Sequence, residues 1–383
     1  MKLLINTSNL YVGGGMQVAI SFIDELKRLN IDNEYHIFIS INIDKQIDKD
    51  NFPNNFHFYI IEKSPASLKT RIKVVKQLDA LEKQINPDIV FSIFAPTYWR
   101  PNTIHISGFA LGWITNPYSE AYKVLSLKQK IKRILDSIYK TYYVKRDSDY
   151  YVVETEDVKE KMFKVLDISK ENIFVVSNTY STYFEQNNTE VYKLPYKEQN
   201  EFRLITIAYN YPHKNIKIIK DVLVFLTDLE INYKFYITID DKSYNTIFSG
   251  YEDKVINLGS VDLKDCPFLY AQSDALFLPT LLESFTASYP EAMKMKKPIL
   301  TSDLSFAHSL CGDCALYFDP LNPKDIANKI IKLSKDKELQ QKLIKKGIQR
   351  LESFETAESR AIKYIKICEQ IIKETNETIN TKF

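Results

Sequence analysis

Apolar and polar positions follow two rhythms along this 383-residue chain. Short apolar runs that read as buried strands alternate with longer stretches in which large side chains recur at helical spacing. Leu3 to Asn6 reads as a strand and Met16 to Leu29 as a helix. Tyr35 to Ile41 and Phe56 to Ile61 read as strands, and Leu68 to Gln84 as a helix. Asp88 to Ile93 is a strand closed by Pro96, and Thr103 to Ser107 predicts another. A long helical stretch covers about Glu120 to Lys145. Tyr150 to Val153 and Phe174 to Val176 follow as strands with a short helix between them. Such alternation predicts a parallel sheet with helices on both faces.

The rhythm lapses over Ser177 to Asn200, which is rich in Asn, Ser, Thr, Tyr and Gln. A polar stretch of this kind reads as a connection between domains. The alternation resumes with a strand at Phe202 to Ile207, a helix at Asn215 to Leu229 and strands at Lys234 to Ile239, Val255 to Leu258, Ala275 to Leu278 and Ile299 to Thr301. The remainder is helical and highly charged, with a last helix expected over about Thr356 to Ile372. The expected fold class is α/β, with two Rossmann-like doubly wound domains facing across a cleft. They would cover 1–180 and 201–355, joined by a linker at 181–200. Residues 356–383 form a helix able to cross back to the first domain.

Length supports two domains, since a single domain takes ~100–200 residues. A composition that is 45% hydrophobic and 26% charged supplies a real core. The net charge of +2 gives no reason to expect nucleic acid as a partner. The four cysteines are too few for a disulfide framework. Cys311 and Cys314 have metal or redox spacing, but no second Cys or His pair stands at ligand distance, so no metal is expected. The opening Met1-Lys-Leu-Leu-Ile turns polar at Asn6, unlike a signal peptide. No apolar run reaches the ~20 residues of a membrane span. A cytoplasmic protein is the expectation.

Candidate chemistry gathers where strands pass into helices. Glu283 and Glu291 stand with seven residues between them, after the strand at Ala275 to Leu278. Pro290 confines the next helix to a start near Ala287 to Tyr289, which puts Glu291 in its first turn and Glu283 in the loop before it. A first-turn glutamate also suits any helix through the macrodipole. Gly13-Gly14-Gly15 holds three of only nine glycines and lies between the first strand and first helix. It allows a phosphate to approach backbone closely, or makes a plain turn. It fits neither the dinucleotide fingerprint nor a Walker A loop. Lys214, in Tyr211-Pro-His-Lys-Asn215, falls between the first strand and helix of the second domain. Its ammonium can meet a diphosphate or remain solvated. In two doubly wound domains these turns converge on ligand.

These residues resemble a known family: the retaining GT-B glycosyltransferases of the family 4 type. The resemblance is most specific from about Val255 to Ile330. There stand Leu258-Gly-Ser-Val261, Leu269 to Asp274, Pro279, the Glu283/Glu291 pair as an E-x7-E motif, Pro298 to Asp303 and Ala315 to Pro320. Lys214-Asn215 and the triple glycine match in order and distance, and the stretch Ser40 to Thr103 matches weakly. The resemblance implies transfer of a sugar from a nucleoside diphosphate donor to a glycan or lipid-linked glycan in bacterial surface polysaccharide synthesis. It implies that Glu283 holds sugar hydroxyls and Glu291 the ribose. Ser284, Phe285 and Thr286 would present N–H groups to the diphosphate, Lys214 would neutralise the leaving phosphate, Gly14 and Gly15 would close on the donor, and Val261 would touch the base. Lys214 and Glu283 would be the catalytic pair, with no metal and no further cofactor. Leaving-group charge stabilised by a fixed cation agrees with that reading, as do oxygens beside an oxocarbenium-like carbon. An epimerase on the same fold and a binding-only homologue are the rival readings.

Several positions depart from the family. Ala208 stands where an Arg is frequent, with His213 as a substitute or a surface residue. Gly108, in Ser107 to Trp113, aligns with a catalytic His, and Thr286 with a glycine. His105 reads as core. Asp147-Ser-Asp149 has the spacing of a metal-binding D-x-D but not its usual place. Ala121 to Arg146 carries eight Lys/Arg and a single acidic residue, Asp136, with apolar residues at helical spacing. This helix suits an anionic membrane on the inner face of the cell membrane, or a solvated face packed on its own domain.

Overall fold

The structure is a computed structural model that describes residues 1–11, 13–29, 31–185, 194–227 and 229–380. The chain divides into two compact units. The first comprises Met1–Thr115, Ile131–Ser177 and Glu355–Phe383, and the second Asn116–Lys130 and Asn178–Phe354. The expected connection at 181–200 lies partly outside the described residues, at 186–193.

The first unit holds seven strands: β1 (Lys2–Asn6), β2 (Glu34–Ser40), β3 (Phe56–Ile61), β4 (Ile89–Ser92), β5 (His105–Phe109), β6 (Tyr150–Val153) and β7 (Ile173–Val175). All pair in parallel, in the order β3-β2-β1-β4-β5-β6-β7. Alternate residues feed opposite faces. Leu3, Ile5, Ile37 and Phe91 pack with Phe22 and Ile23 of the helix Gly14–Leu29. Leu4, Phe38 and Val90 pack on the other side with Val74 and Leu78 of the helix Arg71–Ile85. The C-terminal helix Ala357–Asn380 adds Tyr364 and Cys368 to the first of these cores. Its Tyr364 meets Phe22 edge-on at 5.2 Å, and Arg360 Nη2 donates to Ser21 Oγ at 2.9 Å.

The second unit holds β8 (Glu201–Thr206), β9 (Asn232–Ile237), β10 (Val255–Asn257), β11 (Ala275–Leu278), β12 (Ile299–Ser302) and β13 (Ala315–Phe318). They are parallel in the order β10-β9-β8-β11-β12-β13. Strand β13 was not expected: four residues with a half-exposed centre carry too little apolar pattern to stand out. The helix expected over Asn215 to Leu229 forms only at Ile218–Leu223. The long basic stretch divides into a 3-10 turn, Glu120–Val124, and the helix Leu127–Asp147.

His105 is core, as its place in a strand implied. Its Nδ1–H donates to the Asp147 carbonyl, and its Nε2 accepts from Ser92 Oγ at 2.7 Å. Burial lowers its pKa to about 4, so the ring is neutral at pH 7. The two D-x-D carboxylates serve the fold as well. Buried Asp147 takes Arg146 Nε at 2.5 Å, and Asp149 takes Arg100 Nη2 at 2.5 Å and the His105 N–H at 2.9 Å.

Gly108 resolves one departure from the family. A Cβ built there would stand 1.9 Å from the backbone oxygen of Ile93. The close approach is fixed by the Ala95 N–H, which donates to the Gly108 carbonyl at 2.7 Å. No side chain fits, so no catalytic His can be supplied from this position. Gly108→Ala is expected to cost at least the ~3 kcal/mol at the upper end of overpacking. Urea unfolding would measure it; a loss under 1 kcal/mol would show that the backbone can yield.

Candidate functional site

In the second unit the strand order turns around between β8 and β11, which lie side by side. Their alternate residues feed different cores. Leu204, Ala275 and Phe277 pack with Ile219 and Val222 of the helix Ile218–Leu223, whereas Ile205, Leu276 and Leu278 pack with Tyr289 and Met293 of the helix Ser288–Lys294. The two connections therefore leave the sheet toward opposite faces and open a crevice at the carboxyl ends of the strands. Open α/β sheets bind ligands at such a point.

Both connections carry the residues singled out in the sequence. After β8 the chain makes a 3-10 turn, Pro212–Lys214, ended by Asn215 at φ 55°. The left-handed turn is held by Asn215 Nδ2, which donates to the Pro320 carbonyl at 2.8 Å. After β11, the Leu281 N–H donates to the His213 carbonyl at 2.7 Å. This bond ties one connection to the other, where side chains 69 residues apart meet. Lys214 Nζ lies 2.5 Å from Glu283 Oε1, which also accepts from Thr280 Oγ1 at 2.8 Å. Lys214 is 16% and Glu283 10% exposed at the side chain, so the pair is mostly shielded yet reachable by a ligand.

The next residues form the wall of the crevice. Ser284 and Thr286 are buried, and the Ser284 hydroxyl finds no hydrogen-bond partner among the described residues. A buried hydroxyl without a partner is costly and marks a place where a bound group can supply one. Phe285 packs edge-on against Phe354 at 6.2 Å. Val261, following the loop after β10, borders the same apolar cluster as Phe285. Gly259 at φ 66° allows that loop to turn.

Glu291 takes a different environment from Glu283. The helix starts at Ser288, and Glu291 lies in its first turn, both as Pro290 required. Its carboxyl is buried, with Oε2 accepting from Tyr270 Oη at 2.9 Å. Burial outweighs that hydrogen bond and raises its pKa to about 7. Near neutrality the group is divided between acid and carboxylate, which lets it give or take a hydrogen bond.

In the first unit, Gly14 and Gly15 open the helix Gly14–Leu29 directly after the connection from β1. Gly13 stands at φ 76°, and Gly14 has open space where a side chain would be. A Cβ at Gly15 would press on the Phe94 ring at 3.2 Å. Cys311 and Cys314 are both buried and free. Among the described residues they belong to no cluster with metal-ligand geometry.

Residues 196–350 match the family described as glycosyl transferases group 1. The chain is 26% identical over 174 residues to the O-antigen chain mannosyltransferase RfbU of Salmonella typhimurium. That alignment covers 44% of this chain and 46% of the relative, so the chain spans about half the length of the curated relative it matches. The fold is similar to a glycosyltransferase from Rickettsia africae, with a TM-score of 0.72 at 16% identity over 97% of this chain and 98% of that one. It is also similar to Anabaena Alr3699/HepE, solved in complex with UDP and glucose, with a TM-score of 0.67 at 14% identity over 98% of this chain and all of that one. The architecture is GT-B, as the sequence led us to expect.

The buried carboxyl of Glu291 makes stability depend on pH. A native pKa near 7 against the usual 4.5 means that the folded state holds the proton more tightly. The Glu291 contribution is therefore most favourable below pH 4.5 and is lost as pH rises to 7. At 1.36 kcal/mol per pH unit the loss is about 3 kcal/mol. Glu291→Gln should remove it, so that the stability difference between variant and wild type changes by about that amount over the interval. Urea melts at several pH values would check this; parallel profiles would count against it.

Proposed function

We propose that this chain, whose residues 196–350 match the group 1 glycosyl transferases, moves a hexose from a nucleoside diphosphate donor onto a glycan or lipid-linked glycan. Transfer retains the anomeric configuration and needs no metal. The observation that carries this reading is the shielded Lys214–Glu283 pair at the strand-order reversal, beside the unpartnered Ser284 hydroxyl. In the free protein the two charges satisfy each other. A donor offers a partner to each: phosphate oxygens for Lys214 and sugar hydroxyls for Glu283. As the glycosidic bond breaks, negative charge grows on the diphosphate. Lys214, the Ser284 hydroxyl and the backbone N–H groups of Ser284, Phe285 and Thr286 stabilise it without having to be assembled at that moment. Glu283 stays near the ring and favours positive charge at the anomeric carbon. Glu291 takes the ribose and Val261 the base.

The relative's part in O-antigen assembly supports surface polysaccharide synthesis as the setting. The sugar and nucleotide in the Anabaena complex support a UDP-sugar as the first donor to try. Lys214→Ala is expected to lower the turnover number by about 10²–10³, the usual effect of losing one transition-state charge contact. Glu283→Gln should lower turnover while leaving the fold intact, because the amide oxygen can still accept from Thr280. Transfer assays with UDP-, GDP- and ADP-sugars, with and without acceptor, would measure this. Full activity in Lys214→Ala would refute the assignment, and interconversion of the donor without acceptor would identify an epimerase instead.

We further propose that the protein meets a lipid-linked acceptor at an anionic membrane surface, through the helix Leu127–Asp147. Only Val144 and Asp147 of its 21 residues are buried. Leu127, Ile131, Ile134, Leu135, Ile138 and Tyr142 form one exposed stripe, with Leu135 62% and Ile138 64% exposed. Lys128, Lys130, Lys132, Arg133, Lys140, Lys145 and Arg146 surround it. An apolar stripe within a basic helix suits the boundary of an anionic bilayer. Among the described residues no helix is long and apolar enough to cross a membrane. Neutralising Lys130, Lys132 and Arg133 together should weaken sedimentation with phosphatidylglycerol vesicles at least tenfold and leave the weaker binding to phosphatidylcholine unchanged. Equal binding of variant and wild type would rule the surface out.

A further inference from the structure

In the first unit, Glu34, His36 and His57 bring three metal-ligating atoms together away from the groups described above. Glu34 and His36 lie two residues apart on β2, so they share a face of the sheet. His57, on β3, is the register partner of His36. The two imidazoles stack with centroids 4.8 Å apart and planes 25° from parallel. Both turn a nitrogen toward the same carboxylate oxygen. His36 Nε2 is 3.0 Å and His57 Nε2 3.6 Å from Glu34 Oε1. The three ligand atoms lie within 4.8 Å of one another. Tetrahedral zinc with bonds of about 2.0–2.1 Å separates its ligand atoms by about 3.3 Å. Two of the distances here bracket that value, and His57, 41% exposed at the side chain, can swing to close the third.

The surroundings suit the same task. His36 Nδ1 is 3.0 Å from Tyr59 Oη, on the same face of β3. When the ring carries its proton on Nδ1 and donates to Tyr59, the Nε2 lone pair faces Glu34 Oε1. An outer hydrogen bond of this kind orients most ligating histidines. Lys2 Nζ stands 3.9 Å from the other carboxylate oxygen, Oε2, and donates to the Ile85 carbonyl at 3.0 Å. It therefore holds the carboxylate from behind and leaves Oε1 toward the rings.

We propose that Glu34, His36 and His57 form a binding site for a zinc-class divalent cation, with a water as fourth ligand. Two imidazoles and a carboxylate favour zinc, nickel or copper over magnesium or calcium. The cation clips β3 to β2, and β3 is an edge strand with only one neighbour in the sheet. Binding needs no net proton release from a neutral His36, only the move of its proton from Nε2 to Nδ1.

The test uses the full chain, freed of metal with a chelator and titrated with Co²⁺ and with Zn²⁺. We expect a visible cobalt band of nitrogen and oxygen ligation, and a melting temperature that rises with Zn²⁺. His57→Ala changes an exposed side chain and should leave the fold unaltered by circular dichroism while weakening Co²⁺ binding at least tenfold. Glu34→Gln should do likewise. Tyr59→Phe, which keeps every ligand, should weaken binding by about tenfold through the lost outer hydrogen bond. Three results would overturn the proposal: affinity unchanged in His57→Ala, a thiolate-to-cobalt band that reveals a cysteine site, or wild-type binding no tighter than millimolar.

Discussion

Two parallel strands lying side by side, with their following helices on opposite faces, make the candidate site possible. The connections after β8 and β11 must separate as they leave the sheet, and the space between them cannot be filled by either helix. The chain closes the base of this gap with backbone, through the Leu281 N–H that donates to the His213 carbonyl. It leaves the mouth to side chains. Lys214 and Glu283 meet there because the strand order brings them together, not because either lies in a favourable local sequence. Everything proposed for the donor rests on that divergence.

The same geometry gives the two glutamates of one motif different electrostatic lives. Glu283 sits on the loop, beside a cation, and has Thr280 to orient it. Glu291 stands eight residues further on, in the first turn of the helix, where its side chain turns to the core and to Tyr270. Desolvation favours the neutral acid there. A hydrolase would use such a contrast as acid and base across one bond. Here the charged member already has a fixed cation as partner, which suits holding a polar ligand better than relaying a proton. The neutral member can release its proton when hydroxyl groups replace lost water. One motif thus supplies a carboxylate paired with a cation and another that burial disfavours as a charge.

Much of the architecture was legible because buried parallel strands leave uninterrupted apolar runs, and every expected strand formed. Pro290 confined the start of the helix Ser288–Lys294 to a window, Ala287 to Tyr289, that holds the observed start, since proline is tolerated only in the first turn. Strand β13, whose two central residues are only partly buried, and the shortness of the helix Ile218–Leu223 were not legible. Side-chain partnerships were also hidden. Glu283 was singled out, and so was Lys214, but nothing local stated that they touch. Gly108 looked like a replaced histidine until the carbonyl of Ile93 showed that the backbone had taken the space. The Glu34, His36 and His57 group was invisible for a similar reason: register, not spacing, joins β2 to β3.

Polarity of the first sheet separates two kinds of chemistry. Gly13 to Gly15 follow the carboxyl end of β1, where doubly wound sheets expose backbone N–H groups to ligands. Lys2, Glu34 and His57 stand at or next to the amino ends of their strands. Glu34 opens β2 and Ser40 closes it, so the two ends are about 20 Å apart at 3.3 Å per residue. A cation held at Glu34 is too far from the carboxyl ends to polarise a group bound there. Its effect must be mechanical, through the hydrogen-bond ladder that ties β3 to β2 and β2 to β1. The metal proposed for the amino ends and the metal-free transfer proposed for Lys214 are therefore compatible. The first would steady an edge of the sheet, and the second would stabilise charge with a fixed ammonium.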